Sequence, residues 1–174
     1  MHAHARGHSD DHVAPSTRTS SVVRSYECIW VDRYDDRVPK DDSTVIQGGR
    51  AKAYRPIPEA ERRRGIDEGL AAYARDDWFL AHELLEPAWM GTRDLAEREL
   101  LQGLIKLAAA FVHGARSNPA GVAKNLRGAR ERLVAGRAAS QRVGVDADEL
   151  VGAIDRWLAA PGGPAIEIRR TPSV

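Results

Sequence analysis

The chain of 174 residues lacks features that several classes of protein need. Its one cysteine, Cys28, excludes an internal disulfide and a cysteine-based zinc site. The longest apolar run without a charge, Leu107 to Val112, is far shorter than the ~20 residues of a membrane span. The first residues include His and Asp where a secretory signal would be apolar. These absences predict a cytoplasmic protein that does not enter a membrane.

The chain also lacks a large net charge of either sign. The chain carries 26 basic and 25 acidic residues, a formal charge of +1, so no bulk field attracts nucleic acid or an anionic membrane. It has no Gly-rich phosphate loop, no G-x-S-x-G elbow and no basic stretch interleaved with aromatics. The length suits one domain, and a content of 43% hydrophobic residues is enough for one ordinary core. We therefore predict a single domain that does not bind nucleic acid.

The two ends of the chain differ in composition from its middle. Residues 1–20 show no hydrophobic periodicity, which predicts a disordered tail. The tail could collect a transition metal through six side chains, although composition favours loose, adventitious binding: His2, His4, His8, His12, Asp10 and Asp11. We divide the chain into a disordered or loosely docked extension (1–53), a helical domain (54–160) and a C-terminal tail (161–174). In that tail Ile166 and Ile168 alternate, so it either docks as an extended strap or is loose.

Between residues 54 and 160 the hydrophobic periodicity is helical. Apolar residues recur at spacings of three and four, and Asp94–Glu97 and Asp146–Glu149 have the spacing of capping boxes. Pro and Gly separate the periodic segments. The pattern predicts an all-α bundle of about five helices, over about 59–75, 78–90, 94–116, 119–139 and 146–159.

The second and third predicted helices contain the unusual chemistry. His82 and Glu86 lie one helical turn apart within an apolar stripe. On the next helix, Gln102, Lys106 and His113 share one line, at offsets of four and seven residues. Two helices with a short connection pack antiparallel, so His82 and Glu86 are expected to approach Gln102 and His113.

Three kinds of chemistry fit these side chains. His82 to Glu86 resembles the H-E-x-x-H zinc motif with Glu in place of the second His. His82, Glu86 and His113 could then ligate a divalent metal such as iron, zinc or manganese, with Glu83 as the catalytic base. The second alternative is a hydrogen-bonded network that locks the bundle or orients a ligand. The third is metal-free acid–base chemistry by His82 with Glu83 or Glu86.

Two motifs resemble a known family. They are D-W-F-x-A-H-E-L-L-E-x-x-W at 77–89 and L-L-Q-G-L-I-K-L-A-A-A-x-x-H at 100–113, followed by Asn118 and Gly121. Together they resemble the domain of unknown function 309 family over about Ile66 to Leu133. The resemblance implies a small, cytosolic, all-α bacterial domain without an assigned activity. It also implies two groups of signature residues: His82, Glu83, Glu86 and Trp89, and then Gln102, Gly103 and His113.

Function therefore divides into three hypotheses. The first is a module that binds a small molecule or a partner protein in a pocket beside the cluster of His82, Glu86, Trp89, Gln102 and His113. The second is a metal-dependent hydrolase or oxidoreductase. The third is a structural polar network in a bundle for which a homodimer is conceivable. Lys106 is either a lysine that snorkels to the surface or a cation for an anionic ligand.

Overall fold

The computed structural model describes residues 43–172. The predictions for the His-rich tail and for the rest of residues 1–42 lie outside the described residues. No described helix is both long enough and apolar enough to cross a membrane.

The all-α bundle predicted from the sequence is confirmed. Five longer helices account for most of the described chain, and a 3₁₀ turn (Arg137–Ala139) and a single helical turn lie between the fourth and the last of them. The helices are α1 (Glu59–Tyr73), α2 (Trp78–Met90), α3 (Leu95–Ala115), α4 (Pro119–Gly136), the single turn α5 (Ser140–Val143) and α6 (Ala147–Ala159).

Side-chain caps explain where four of these helices begin. Each cap oxygen accepts a hydrogen bond from a main-chain N–H in the first turn, a donor that would otherwise lack a partner. The N···O distances are 2.8–3.1 Å for the caps of α2, α3, α4 and α6, which are Asp77, Asp94, Asn118 and Asp146. The two capping boxes read from the sequence therefore mark true helix starts.

Helix α3 lies at the centre of the core and packs against both α2 and α4. Leu100, Leu101, Leu104 and Leu107 have no exposed surface. Burying a leucine side chain contributes about 1.5–3 kcal/mol, so this stripe is a major source of stability. The crossing with α4 is close at Gly136, where a Cβ atom would lie 2.3 Å from the main-chain nitrogen of Leu100.

A β-hairpin precedes the bundle. Strands β1 (Thr44–Gln47) and β2 (Arg50–Ala53) pair antiparallel, and Gly48 and Gly49 connect them with φ values of 56° and 74°. Positive φ at both positions is typical of a two-residue type I′ turn. The ordered chain thus begins before residue 54, because residues 44–53 form this hairpin and not a disordered or loosely docked segment.

The segment after α6 docks along the bundle. Ile166 is buried, and its carbonyl oxygen accepts a 2.8 Å hydrogen bond from the Tyr73 hydroxyl. Arg170 forms an isolated antiparallel bridge with Val145. Of the two alternatives for the C-terminal tail, the structure has the docked strap.

Candidate functional site

Helix α2 brings His82, Glu83 and Glu86 together. His82 is buried, and Glu83 and Glu86 are half-buried. Each can offer one ligand atom such that all three atoms lie within 4.8 Å of one another. His82 Nδ1 lies 3.4 Å from Glu83 Oε1. The i, i+4 spacing of His82 and Glu86 thus produces the neighbourhood that the sequence predicts.

The third member of this group is Glu83 and not His113. Within residues 43–172, His82, Glu83 and Glu86 form the one set of three or more potential metal ligands at this spacing. His113, near the end of α3, has its Nδ1 3.2 Å from the side-chain nitrogen of Asn118, the residue that caps α4. Glu83, predicted as a catalytic base, is therefore placed as a potential ligand.

The remaining predicted site residues belong to a polar network centred on Gln47. The Trp89 indole donates to Gln47 Oε1 at 3.3 Å, and Gln47 Nε2 donates to Gln102 Oε1 at 3.0 Å. Gln47, in β1, is 2% exposed. This network links the hairpin to α2 and α3 through two residues of the motifs read from the sequence.

Arg98 completes the network and was missed in the sequence. It has no exposed surface, and its guanidinium carbon lies 4.5 Å from the centre of the Trp89 ring. Its N–H groups donate to Gln47 Oε1 and to the main-chain oxygens of Trp89, Met90, Thr92 and Ala53. A signal was present, since Arg98 is in helical phase with Leu101 and Ile105, which are both buried.

A cavity of about 810 Å³ lies at one end of the bundle. It forms where the start of α2, the end of α3, the start of α4 and the segment after α6 meet. His82 and Glu86 are not among its lining residues. The lining is Trp78, Phe111, Gly114, Ala115, Ser117, Asn118, Pro119, Val122, Ala123, Trp157, Pro161, Gly162, Gly163 and Ala165.

Three aromatic rings, those of Trp78, Phe111 and Trp157, contribute to the cavity wall. The ring centroids of Trp78 and Phe111 are 5.7 Å apart, and the angle between the two ring planes is 43°. The Trp157 indole donates to the carbonyl oxygen of Gly163 at 3.3 Å, which fixes the ring beside the turn after α6. Within residues 43–172, the buried Nε1 of Trp78 has no hydrogen-bond acceptor. An indole N–H of this kind is costly to bury.

The fold and these clusters define a small all-α bundle domain with a polar network at the α2–α3 connection and an aromatic cavity at one end. The model of the family described as a domain of unknown function (DUF309) matches residues 66–125, which confirms the resemblance drawn from the two motifs. The matched part extends from α1 into α4 and includes His82, Glu83, Glu86, Trp89, Gln102 and His113. The search of curated proteins gave no match.

Proposed function

We propose that the bundle is a binding module for a ring-containing, largely apolar small molecule, held in the cavity lined by Trp78, Phe111 and Trp157. The observation that carries the proposal is the size and lining of that cavity. Small-molecule sites are commonly concave, about 300–1,000 Å³ in volume, and mainly apolar with a few polar groups. At about 810 Å³ this cavity falls in that range.

The arrangement of the wall favours an aromatic ligand. The rings of Trp78, Phe111 and Trp157 can provide offset and edge contacts to another ring, each worth about 0.5–1.5 kcal/mol beyond area burial. Ser117 and Asn118 are the polar side chains of the lining, apart from the two indoles. Asn118 Oδ1 already accepts from the Gly121 N–H at 2.9 Å, so the cavity offers few further polar groups. This combination suits a ligand with one or two rings and few polar atoms.

The test is a titration of the full-length chain with 2-naphthol, followed through the indole N–H signals in ¹⁵N–¹H NMR spectra. Single Trp→Phe variants assign the signals. We expect saturable shifts at Trp78 and Trp157. Trp89 is the internal control because its indole N–H is bonded to Gln47 in the polar network.

A pair of variants distinguishes the cavity from the surface. Ala123→Phe places a ring inside the lining and should abolish the saturable shifts, whereas Ala120→Phe adds the same ring at an exposed position of α4. Equal binding by both variants, or no shift of Trp78 and Trp157 at millimolar 2-naphthol, would refute the proposal.

A second candidate is a divalent-metal site formed by His82, Glu83 and Glu86, and it is favoured by their convergence within 4.8 Å. One imidazole and two carboxylates suit zinc, iron or manganese, and further coordination positions would remain for water or substrate. In this arrangement Glu83 acts as a ligand. The hydrolase or oxidoreductase alternative depends on this site.

Elemental analysis of the full-length chain after incubation with zinc and desalting tests the metal site. His82→Ala/Glu86→Gln should lose about one equivalent relative to the unmodified chain, because two of three ligands are removed. His113→Ala should lose none. Because every version retains the His-rich tail, metal bound there cancels in the comparison. Loss in His113→Ala as well would favour the ligand set predicted from the sequence, and equal metal in all versions would exclude both sets.

A further inference from the structure

Lysines gather at the contact between the hairpin, α3 and α4. Of the chain's cations most are arginine, and the lysines within residues 43–172 are Lys52, Lys106 and Lys124. They lie on β2, α3 and α4 respectively. Burial lowers the pKa of Lys106, and the charges of Arg132, Lys124 and Lys52 add to this effect. We call this group the lysine seam.

Lys106 does not extend freely into solvent. It is half-buried, and its side chain lies across Gly128 of α4. A Cβ atom at Gly128 would lie 3.2 Å from Lys106 Cδ and 3.3 Å from Nζ. Glycine at 128 therefore leaves the space in which the aliphatic stem and the ammonium group rest against α4. This placement fits both alternatives left open by the sequence, a lysine that snorkels and a cation for an anionic ligand.

Two more cations flank that resting place. Lys124 and Arg132 are four residues before and four residues after Gly128, so all three share one face of α4. Arg132 also reaches the hairpin, since a Cβ atom at Gly48 would lie 3.3 Å from its Nη1. The side chain of Lys106 thus lies on the face of α4 that also carries these two cations.

Negative charge at the seam is limited. Glu99 of α3 is engaged by Arg132, with oxygens 2.7 and 2.9 Å from Nη1. Burial, and next the charge of Arg132, lower the pKa of Lys106, and Glu131 opposes this effect. Within the described part of the chain, Lys106 has no ion-pair partner. An ammonium group has three N–H donors, so Lys106 can bind an anion without first breaking an ion pair.

We propose that the lysine seam binds the phosphate group of a small phosphorylated molecule, with Lys106 as the principal contact and Lys52 and Lys124 as supporting charges. An ammonium group offers three donors and a full charge, and lysine is a common phosphate ligand as a point charge. A dianion between the three cations would relieve their mutual repulsion. This site is independent of the aromatic cavity, so either proposal can fail without the other.

Calorimetric titration of the full-length chain with inorganic pyrophosphate tests the seam at low salt and again near physiological ionic strength. We expect saturable binding of one equivalent that weakens as salt rises. Lys106→Met retains the stem but removes the charge, and it should weaken binding about tenfold or more. Lys106→Arg should retain most of the affinity.

The matched control is Arg127→Met, which removes one positive charge from an exposed position of the same helix. It should change the affinity by less than about threefold, because Arg127 is exposed and its charge is screened by solvent and salt. An equal loss in Arg127→Met and Lys106→Met would show attraction to net charge alone and would overturn the proposal. So would the absence of pyrophosphate binding at low salt. If a short DNA duplex competes at a much lower concentration than pyrophosphate, the ligand of the seam is a nucleic acid backbone and not a small phosphorylated molecule, which would also overturn the proposal.

Discussion

The side chain on which the α2–α3 connection most depends is Arg98. Its N–H groups donate to the main-chain oxygens of Trp89 and Thr92 through buried hydrogen bonds, and to that of Ala53, a half-buried residue at the end of β2. Removing the guanidinium takes a donor from each of these acceptors and leaves Gln47 Oε1 with the Trp89 indole N–H alone, which is costlier than the loss of one exposed contact.

We expect Arg98→Met to lower the free energy of unfolding by about 3–4 kcal/mol, measured by urea denaturation. Arg127→Met, at an exposed site on α4, should change it by no more than about 0.5 kcal/mol. If the two variants unfold at the same urea concentration, Arg98 does not hold the hairpin.

A second residue gives a pH-dependent prediction. Burial, and then the charge of Asp76, raise the pKa of Tyr73 above its ordinary value of about 10. The folded state therefore keeps its proton where the unfolded state loses it, and the stabilisation is fully present below pH 10 and declines as the pH rises above that value. Urea midpoints measured from pH 8 to 11 should fall more steeply for the unmodified chain than for Tyr73→Phe. Parallel curves would contradict this assignment.

At the scale of elements, Gly136 allows α3 and α4 to approach each other closely. An alanine at Gly136 would place Cβ 2.3 Å from Leu100 N and 2.7 Å from Ala96 O, both main-chain atoms that cannot move independently of α3. Gly152 of α6 is the matched control. A Cβ atom there would lie 3.4 Å from Arg156 Nη1, which is an ordinary contact with a flexible side chain.

Gly136→Ala should therefore separate the helices and cost about 2–4 kcal/mol. Gly152→Ala should stabilise by about 0.5–1 kcal/mol, since alanine loses less conformational freedom in a helix. Thermal unfolding of the two variants measures both effects. A stabilised Gly136→Ala variant would mean that α3 and α4 are not in close contact there.

The helices could be predicted from the sequence because their signals are local. Asp94 and Asp146 mark starts through contacts three residues away, and the His82–Glu86 pair follows from one turn of helix. The hairpin had a local signal too, in Gly48–Gly49, but its strands are only four residues long. Short, mostly polar strands do not stand out by hydrophobic pattern.

The rest of the candidate site depends on contacts between distant residues. Gln47 meets Trp89 and Arg98 across 42 and 51 positions, and no periodicity specifies such a pairing. The prediction that His113 joins His82 assumed that one helical line faces one neighbour. In the structure His113 lies instead beside Asn118, at the start of α4. The aromatic cavity combines side chains from four parts of the chain, so its wall could not be derived from any one of them.

For the molecule as a whole, the order of the helices has a consequence for folding. Helices α1 with α2, α2 with α3, and α3 with α4 pack as neighbours in sequence, so most of the core forms by closing short loops. The hairpin and the C-terminal strap form contacts that close longer loops. The hydrogen bond between Tyr73 and Ile166, for example, joins residues 93 positions apart. Amide hydrogen exchange should therefore be slowest in α3 and α4. The hairpin and the strap should open first, detaching Gln47 from Arg98 while the helices remain paired.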